Sequence, residues 1–324
     1  MYLIGGEDYV MNKTKTTSDK VLAIVGPTAS GKTNVSIQLA KVINAEIISC
    51  DSRQIYKYIP IATCAPTQAE QGEVKHYFIN ELKPEEEFNA GLFARLARER
   101  ITDIRKKGKR VIITGGSGLY LKALIDGFFE ADIKDKTIRE NLNLRLEKEG
   151  KEKLYEELRK VDPESAEKMG ADKPRRVLRA LEVFYGTGRK ISELQKENVK
   201  PDFSCLQIGI SYKREVLYSR INERVDAMIN NGLLDEIRRI QKKGYHPKTH
   251  NSLNTVGVKE VFRFFENEIK RDLMVTLIKQ NTRQYAKRQM TWFRKDHRIK
   301  WLDMEELQGD VGAVSYILNI LLDE

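Results

Sequence analysis

The stretch Val21 to Thr33, VLAIVGPTASGKT, constrains this chain most. A short continuous apolar run, of the kind a buried parallel strand presents, leads into Gly26, Gly31, Lys32 and Thr33, which fit G-x-x-x-x-G-K-[ST] position by position. Glycines let backbone N–H groups turn inward around an anion. The lysine adds a mobile positive charge, and the threonine hydroxyl can hold a Mg²⁺ bound to the same phosphates. A Gly-rich turn with no ligand is the alternative. Against it, NVSIQLAKVI follows directly with Val35, Leu39 and Val42 close to helical spacing, so a helix N-terminus faces the loop. The chain is therefore read as an α/β protein that binds a di- or triphosphate. The motif alone also describes nucleotide- and ATP-binding proteins.

The rest of the chain extends that design. AEIISCDSRQIY reads as a second strand, 46–50, ending at Asp51 and Ser52; ligands sit beyond the carboxyl ends of such strands, so Asp51 is expected beside the phosphate loop. Residues 56–87 read as a connecting lobe punctuated by Pro60, Pro66 and Pro84, with HYFIN as a short strand. NAGLFARLARERITDIRKKG is an amphipathic helix closed by Gly108. RVIIT then runs into GGSGLYLKALIDG, which repeats strand, Gly-rich turn and helix: Gly115, Gly116 and Gly118 allow close backbone approach, and the Ser117 hydroxyl can cap the helix or touch a ligand.

From 132 to 200 the sequence is charged and helix-forming, with no strand-like run, and is taken as a helical insertion in which Arg175 and Arg179 share a face. CLQIGISY returns as a strand. A long helical stretch broken at Gly232 follows, with Arg220 and Arg224 four apart, either paired with acidic neighbours or aimed at phosphates. The expected organisation is an N-terminal extension over 1–20, a core over 21–131 and 201–324 with a helical C-terminal part, and the insertion over 132–200.

Composition narrows the function classes. With 324 residues, 40% apolar and 32% charged, the chain suits a globular protein of two domains, and no apolar run approaches a membrane-spanning length. The first twenty residues lack the apolar segment of a secretory signal. Cys50, Cys64 and Cys205 are widely separated, which argues against a disulfide framework or thiolate zinc site and for a reducing cytoplasm. His246 and His250, with Pro247 between them, read as surface histidines.

The net charge of +10 is unevenly placed: between Lys279 and Lys300 stand eight Lys or Arg against Asp296 alone. That excess suits a polyanionic partner or a basic helix on a solvated face. A helix over 282–294 would stack Arg283, Lys287 and Arg294 on one side, with Tyr285, Trp292 and Phe293 interleaved. Arginine with aromatics grips a phosphate backbone and stacks on unpaired bases, although the same aromatics also suit a core.

A phosphate loop beside a carboxylate has two chemical uses. Phosphoryl transfer calls for a second acidic residue after a hydrophobic strand, yet RVIIT ends in GGSG. The other use makes diphosphate a leaving group, with Lys32 and Mg²⁺ neutralising its charge while carbon is transferred.

At this point GPTASGKT, DSRQIY, GGSGLYLKAL, RALEVFYGTGR, LYSRINERVDAMI, TVGVKE and QYAKRQMTWFRKD, in that order, resemble the tRNA dimethylallyltransferase (tRNA isopentenyltransferase) family over nearly all of 21–303. The resemblance implies a P-loop NTPase-like parallel-sheet core with an inserted all-helical domain that grips the anticodon stem. It also implies transfer of a dimethylallyl group from dimethylallyl diphosphate to N6 of the adenosine 3′ of the anticodon, in tRNAs reading codons that begin with U, the base being flipped into a channel. Carried over, Gly26, Pro27, Thr28, Ala29, Ser30, Gly31, Lys32 and Thr33 bind diphosphate, with Thr33 near Mg²⁺. Asp51 is similar to the family's general base, and Ser117 and Arg220 to groups that help diphosphate leave.

Segments resembling tRNA contacts hold Asp51, Ser52, Arg53, Gln54, Ser117, Arg139, Arg175, Arg176, Arg179, Asn254, Thr255, Val256, Gly257, Val258, Lys259, Lys287, Arg288, Gln289, Trp292 and Arg294. The expected partners are the tRNA anticodon stem-loop and dimethylallyl diphosphate, for a monomeric cytoplasmic enzyme of the short bacterial form, without a C-terminal zinc finger. The chain departs from the family in carrying Ala65 where a lysine is common, Ser117 for threonine and Val258 for tyrosine. Rival readings are a transferase acting on free AMP, ADP or ATP, a P-loop kinase, and an RNA-binding module switched by nucleotide.

Overall fold

The computed structural model describes residues 20–323 apart from 130–132, 134, 136 and 199. The reading of 1–20 as an extension falls, save for Lys20, outside the described residues, as does residue 132, where the insertion was expected to begin. Two compact units emerge, one over 20–89, 95–121 and 202–323, the other over 90–94 and 122–201.

The larger unit is built on six parallel strands, β1 (Val21–Val25), β2 (Ala45–Ser49), β3 (His76–Tyr77), β4 (Arg110–Gly115), β5 (Cys205–Ser211) and β6 (Ile299–Asp303), in the order β3-β2-β4-β1-β5-β6. Every residue of β1 is buried, as its unbroken apolar run requires of a central parallel strand. Pairing of Val25 with Gly115 and of Ser49 with Thr114 keeps the carboxyl ends of β1, β4 and β2 level. The segments that follow these strands therefore meet: the phosphate loop, the Gly115–Gly118 turn and Asp51.

Helix α1 (Lys32–Val42) leaves the phosphate loop directly. Its Val35, Ile37 and Leu39 pack on Leu22, Ile24, Ile47, Ile112 and Ile208 of the sheet in one buried cluster. The connecting lobe is more ordered than its prolines suggested, with α2 (Pro60–Thr63) and α3 (Gln68–Glu73), the latter closed by a Thr67–Glu70 capping box. Helices α4 (Ala90–Lys106) and α5 (Gly118–Asp126) follow.

The helical unit contains α6 (Thr137–Val161), interrupted at Gly150, then α7 (Pro163–Met169), α8 (Pro174–Thr187) and α9 (Ile191–Lys196). Leu142, Leu154, Leu158, Val177, Leu178, Leu181 and Ile191 form its core. The buried Asp162 carboxylate accepts from Ser165 N at 3.1 Å and Ser192 N at 3.0 Å, joining the starts of α7 and α9. The boundary of this unit falls inside α5, at Lys122.

After β5 the larger unit continues with α10 (Arg214–Asn230), α11 (Leu233–Lys242), α12 (Val258–Phe265) and α13 (Arg271–Phe293). β6 was not anticipated: the basic segment continues into Ile299–Asp303, where Ile299 and Leu302 turn inward at the sheet edge. α14 (Asp310–Asp323) then buries Ala313, Ile317 and Leu321 on the α1 side of the core. His246 and His250 are half-buried rather than surface residues, His246 Nε2 lying 2.7 Å from a Glu266 oxygen with its ring edge-on to Phe262.

Candidate active site

Lys32 closes the phosphate loop on itself, its Nζ donating to Pro27 O at 2.7 Å. Burial of the ammonium and the nearby Arg224 guanidinium push its pKa down to about 7, while the Asp51 charge pulls the other way.

Arg220 and Arg224, the pair that local spacing left open, both reach this loop from α10. Arg220 Nε donates to Ala29 O at 2.9 Å. Arg224 donates from Nη1 to Thr28 Oγ1 at 3.3 Å and from Nε to Cys64 Sγ at 2.8 Å. Arg224 thus brings its charge to Cys64, next to Ala65, where the family commonly carries a lysine. Its signal was present in the sequence, one helical turn beyond Arg220.

Asp51 stands at the end of β2. Its Oδ1 accepts from Arg53 N at 2.8 Å and Gln54 N at 3.3 Å, an Asx-type turn that fixes the carboxylate. Ser117 does not cap α5 with its hydroxyl. Instead Oγ accepts from Ser52 N at 3.0 Å, and the Ser117 carbonyl takes the helix N–H groups of Tyr120 and Leu121. Tyr285 on α13 lines the same cavity as Asp51, and burial with the Asp51 charge raises its hydroxyl pKa well above the usual value. By sequence Tyr285 reads as one of the aromatics interleaved with the basic residues. It lies on the stripe Ile278, Thr282, Tyr285 and Gln289, one face of α13 that lines the site.

Gln289 was expected at a tRNA surface, but it is buried. Its Oε1 accepts from Thr28 N at 2.8 Å and its Nε2 donates to Gly116 O at 3.0 Å, tying the phosphate loop to the turn after β4. The glycines of that turn are required by contact rather than by φ: a Cβ on Gly116 would lie 2.0 Å from Gln289 Nε2, and one on Gly118 would lie 2.1 Å from Trp292 Cδ1.

A cavity of about 340 Å³ is lined by Lys32, Thr33, Asp51, Arg53, Arg224, Thr255, Lys259, Tyr285 and Arg288, among others. A second, of about 890 Å³, opens along Ala29–Asn34, Ala65 and Arg220. Lys32, Thr33, Cys64, Pro66, Arg224 and Met228 line both, so the phosphate loop is reached from two sides.

Asn254, Thr255, Val256 and Lys259 edge the first cavity, but Gly257 and Val258 are buried, and Val258 is wholly enclosed. The cause is local. Gly257 N donates to Glu260 Oε2 at 2.8 Å at the start of α12, which turns Val258 inward. On α13, Lys287 and Arg288 are exposed beside Trp292, and Arg294 is exposed just past its end. Arg283, expected on the same basic stripe, instead donates to Asn222 Oδ1 at 2.7 Å, and Phe293 is core. In the helical unit Arg175 and Arg176 are exposed, whereas Arg139 and Arg179 both bond Glu182 Oε2, at 3.1 and 2.9 Å.

The sequence matches the family model described as IPP transferase over residues 54–296. It is 42% identical to a tRNA dimethylallyltransferase of Salinibacter ruber over 90% of each chain. It is 43% identical to one of Acetivibrio thermocellus over 90% of this chain and 94% of the other. Among solved structures, the tRNA isopentenylpyrophosphate transferase of Bacillus halodurans aligns with TM-score 0.69 at 35% identity, over 94% of this chain and 97% of that one. A eukaryotic dimethylallyltransferase acting on tRNA aligns with TM-score 0.77 at 32% identity, over 88% and 74%. With a phosphate loop, a fixed aspartate and two arginines gathered beyond the carboxyl ends of interior strands, and with these matches along nearly its whole length, the chain belongs to the tRNA dimethylallyltransferase family.

Proposed function

We propose that this protein transfers the dimethylallyl group of dimethylallyl diphosphate to N6 of the adenosine 3′ of the anticodon, in tRNAs reading codons that begin with U, and releases diphosphate. One observation carries the reading: the Asp51 carboxylate shares a cavity with Lys32, Thr33 and Arg224, and the rim of that cavity is Asn254, Thr255, Lys259 and Arg288.

The diphosphate lies in the loop from Gly26 to Thr33, with Lys32, Arg220 and Arg224 around it. The bond from C1 of the dimethylallyl group to the diphosphate oxygen breaks as a bond from adenine N6 to C1 forms. Both electrons of the broken bond leave with the diphosphate, and the N6 proton passes to Asp51. The exocyclic amine is a poor nucleophile because its lone pair is delocalised into the ring, so a fixed carboxylate acceptor matters to the rate. Ser117, whose Oγ accepts from Ser52 N in the turn next to Gly115 and Gly116 of the cavity wall, is the hydroxyl we assign to the departing group or the nucleotide.

Among the described residues no group of three His, Cys, Asp or Glu is placed to hold a cation by itself. The donor set fits a Mg²⁺ that arrives with the diphosphate and takes the Thr33 hydroxyl as its protein ligand. When bound it neutralises leaving-group charge. The exposed Lys287, Arg288, Trp292 and Arg294 favour a polyanion with unpaired bases over a free mononucleotide, and Arg175 and Arg176 of the helical unit are further candidates for the anticodon stem. Among the described residues no helix is long and apolar enough to cross a membrane. A cytoplasmic, monomeric enzyme is the reading that the family resemblance favours.

Incubation with labelled dimethylallyl diphosphate and either unmodified tRNA bearing A-A-A after the second anticodon base, or AMP, tests the reading. Label is expected in the tRNA. Label in AMP alone, or ATP hydrolysis without transfer, overturns it.

A further inference from the structure

Pro60–Thr63 forms a single helical turn, and Ile59 before it has no side chain able to cap it. Its free amides are instead held from α11. The Glu236 carboxylate accepts from Ile61 N at 2.8 Å through Oε2 and from Ala62 N at 2.9 Å through Oε1. Glu236 is only 2% exposed and lines neither of the two cavities at the phosphate loop. Burial raises its pKa to about 6, with the two amides and Arg239 opposing the shift, so at neutral pH it is the anion that accepts from both N–H groups.

The other end of the same turn faces the site. Thr63 O and Cys64 O both accept from Gln54 Nε2, at 3.3 and 3.2 Å, and Gln54 Oε1 accepts from Ser49 Oγ at 2.9 Å. Gln54 N is in turn one of the two donors that hold the Asp51 carboxylate. Cys64 adopts a left-handed backbone, φ 47° and ψ 48°, and its Sγ receives Arg224 Nε. A four-residue turn therefore connects one buried carboxylate to two groups that line the first cavity, Asp51 and Arg224.

We propose that Glu236 is a positioning residue for the transfer reaction: by holding the Pro60–Thr63 turn at its amide end, it sets where Gln54 orients Asp51 and where Cys64 receives Arg224. The proposal rests on the transferase reading for its effect on rate, but its structural part stands apart from that reading. A carboxylate serves here because both lone-pair directions are used. A glutamine at 236 keeps the shape but presents an N–H to one of the two amides, leaving that amide without an acceptor.

The test compares wild type with Glu236→Gln, with Arg239→Gln as a control that changes the neighbouring charge but not the two amide bonds. In Glu236→Gln, kcat is expected to fall about tenfold, the rate equivalent of one bond to a buried charged group, while KM for tRNA stays within about twofold. A general loosening of the fold would instead raise KM, or reduce the amount of folded protein without changing kcat per folded molecule. The second readout needs no turnover. In a Cys205→Ser background, the labelling rate of Cys64 by an aromatic disulfide is expected to rise at least about fivefold in Glu236→Gln, as the turn opens more often, and to stay unchanged in Arg239→Gln. An unchanged kcat, or an unchanged Cys64 rate, overturns the proposal. If wild type transfers no label at all, the functional reading fails, and the Cys64 rate still decides whether Glu236 holds the turn.

Discussion

Lys32 shows most directly how burial prepares a site for its ligand. A lysine held at about 7 is largely neutral at about pH 8, and an adjacent diphosphate restores its affinity for a proton. The sign follows: the pKa rises on binding, so protons are taken up between the free and bound values. Binding of dimethylallyl diphosphate at about pH 8 should take up close to one proton, and far less at about pH 6, where Lys32 is already charged. Calorimetry in buffers of different ionisation heat measures this, and Lys32→Met should abolish the uptake. Asp51→Asn isolates a different function. The amide keeps an oxygen for Arg53 N and Gln54 N but cannot take a proton, so kcat should fall by about 10²- to 10⁴-fold with tRNA affinity nearly unchanged. Single-turnover rates beside tRNA binding curves separate the two, and a parallel loss of both would make Asp51 a binding residue.

Between elements, the decisive contacts join segments far apart in sequence, and these were the least legible. The strand–loop–helix pattern identified β1, α1, β2, β4 and β5, because apolar runs and glycine offsets are local signals. Nothing local shows that Gln289 bridges the phosphate loop and the turn after β4, nor that Arg283 is taken up by Asn222. The Thr67–Glu70 box is legible in the spacing of the two residues but stands among the prolines of the connecting lobe, and β6 is hidden in a run of charge. Gln289→Leu leaves Thr28 N and Gly116 O unpaired, which should lower the unfolding free energy by about 1–3 kcal/mol in urea titrations. Gly118→Ala is expected to act elsewhere. Helix propensity favours alanine, yet its methyl would collide with the Trp292 indole. The ring must swing outward, and the tryptophan emission should shift to the red; unchanged emission would mean that the backbone yields instead.

At the scale of the whole molecule, the net charge of +10 matters less than which of its members are free. Within the basic stretch from 279 to 300, Lys279 is bound to Asp226 and Arg298 to Asp296. Among the described residues, Lys287, Arg288, Arg294 and Lys295 have no ion pair, and all four are exposed. A cation already neutralised at home releases no counterion from a nucleic acid, whereas a free one does. tRNA affinity should therefore fall steeply with salt, and Lys287→Ala and Arg294→Ala should each reduce the slope of log affinity against log salt by about 0.7 to 1. Lys279→Ala, a change of the same charge on the same helix, should leave the slope unaltered because its ammonium is already paired with Asp226. Filter binding between about 50 and 200 mM salt distinguishes the cases. Equal slopes for all three variants would show that net charge alone governs the encounter; a loss confined to Lys287 and Arg294 would place the phosphate backbone on the exposed side of α13 that carries Lys287, near its C-terminal end.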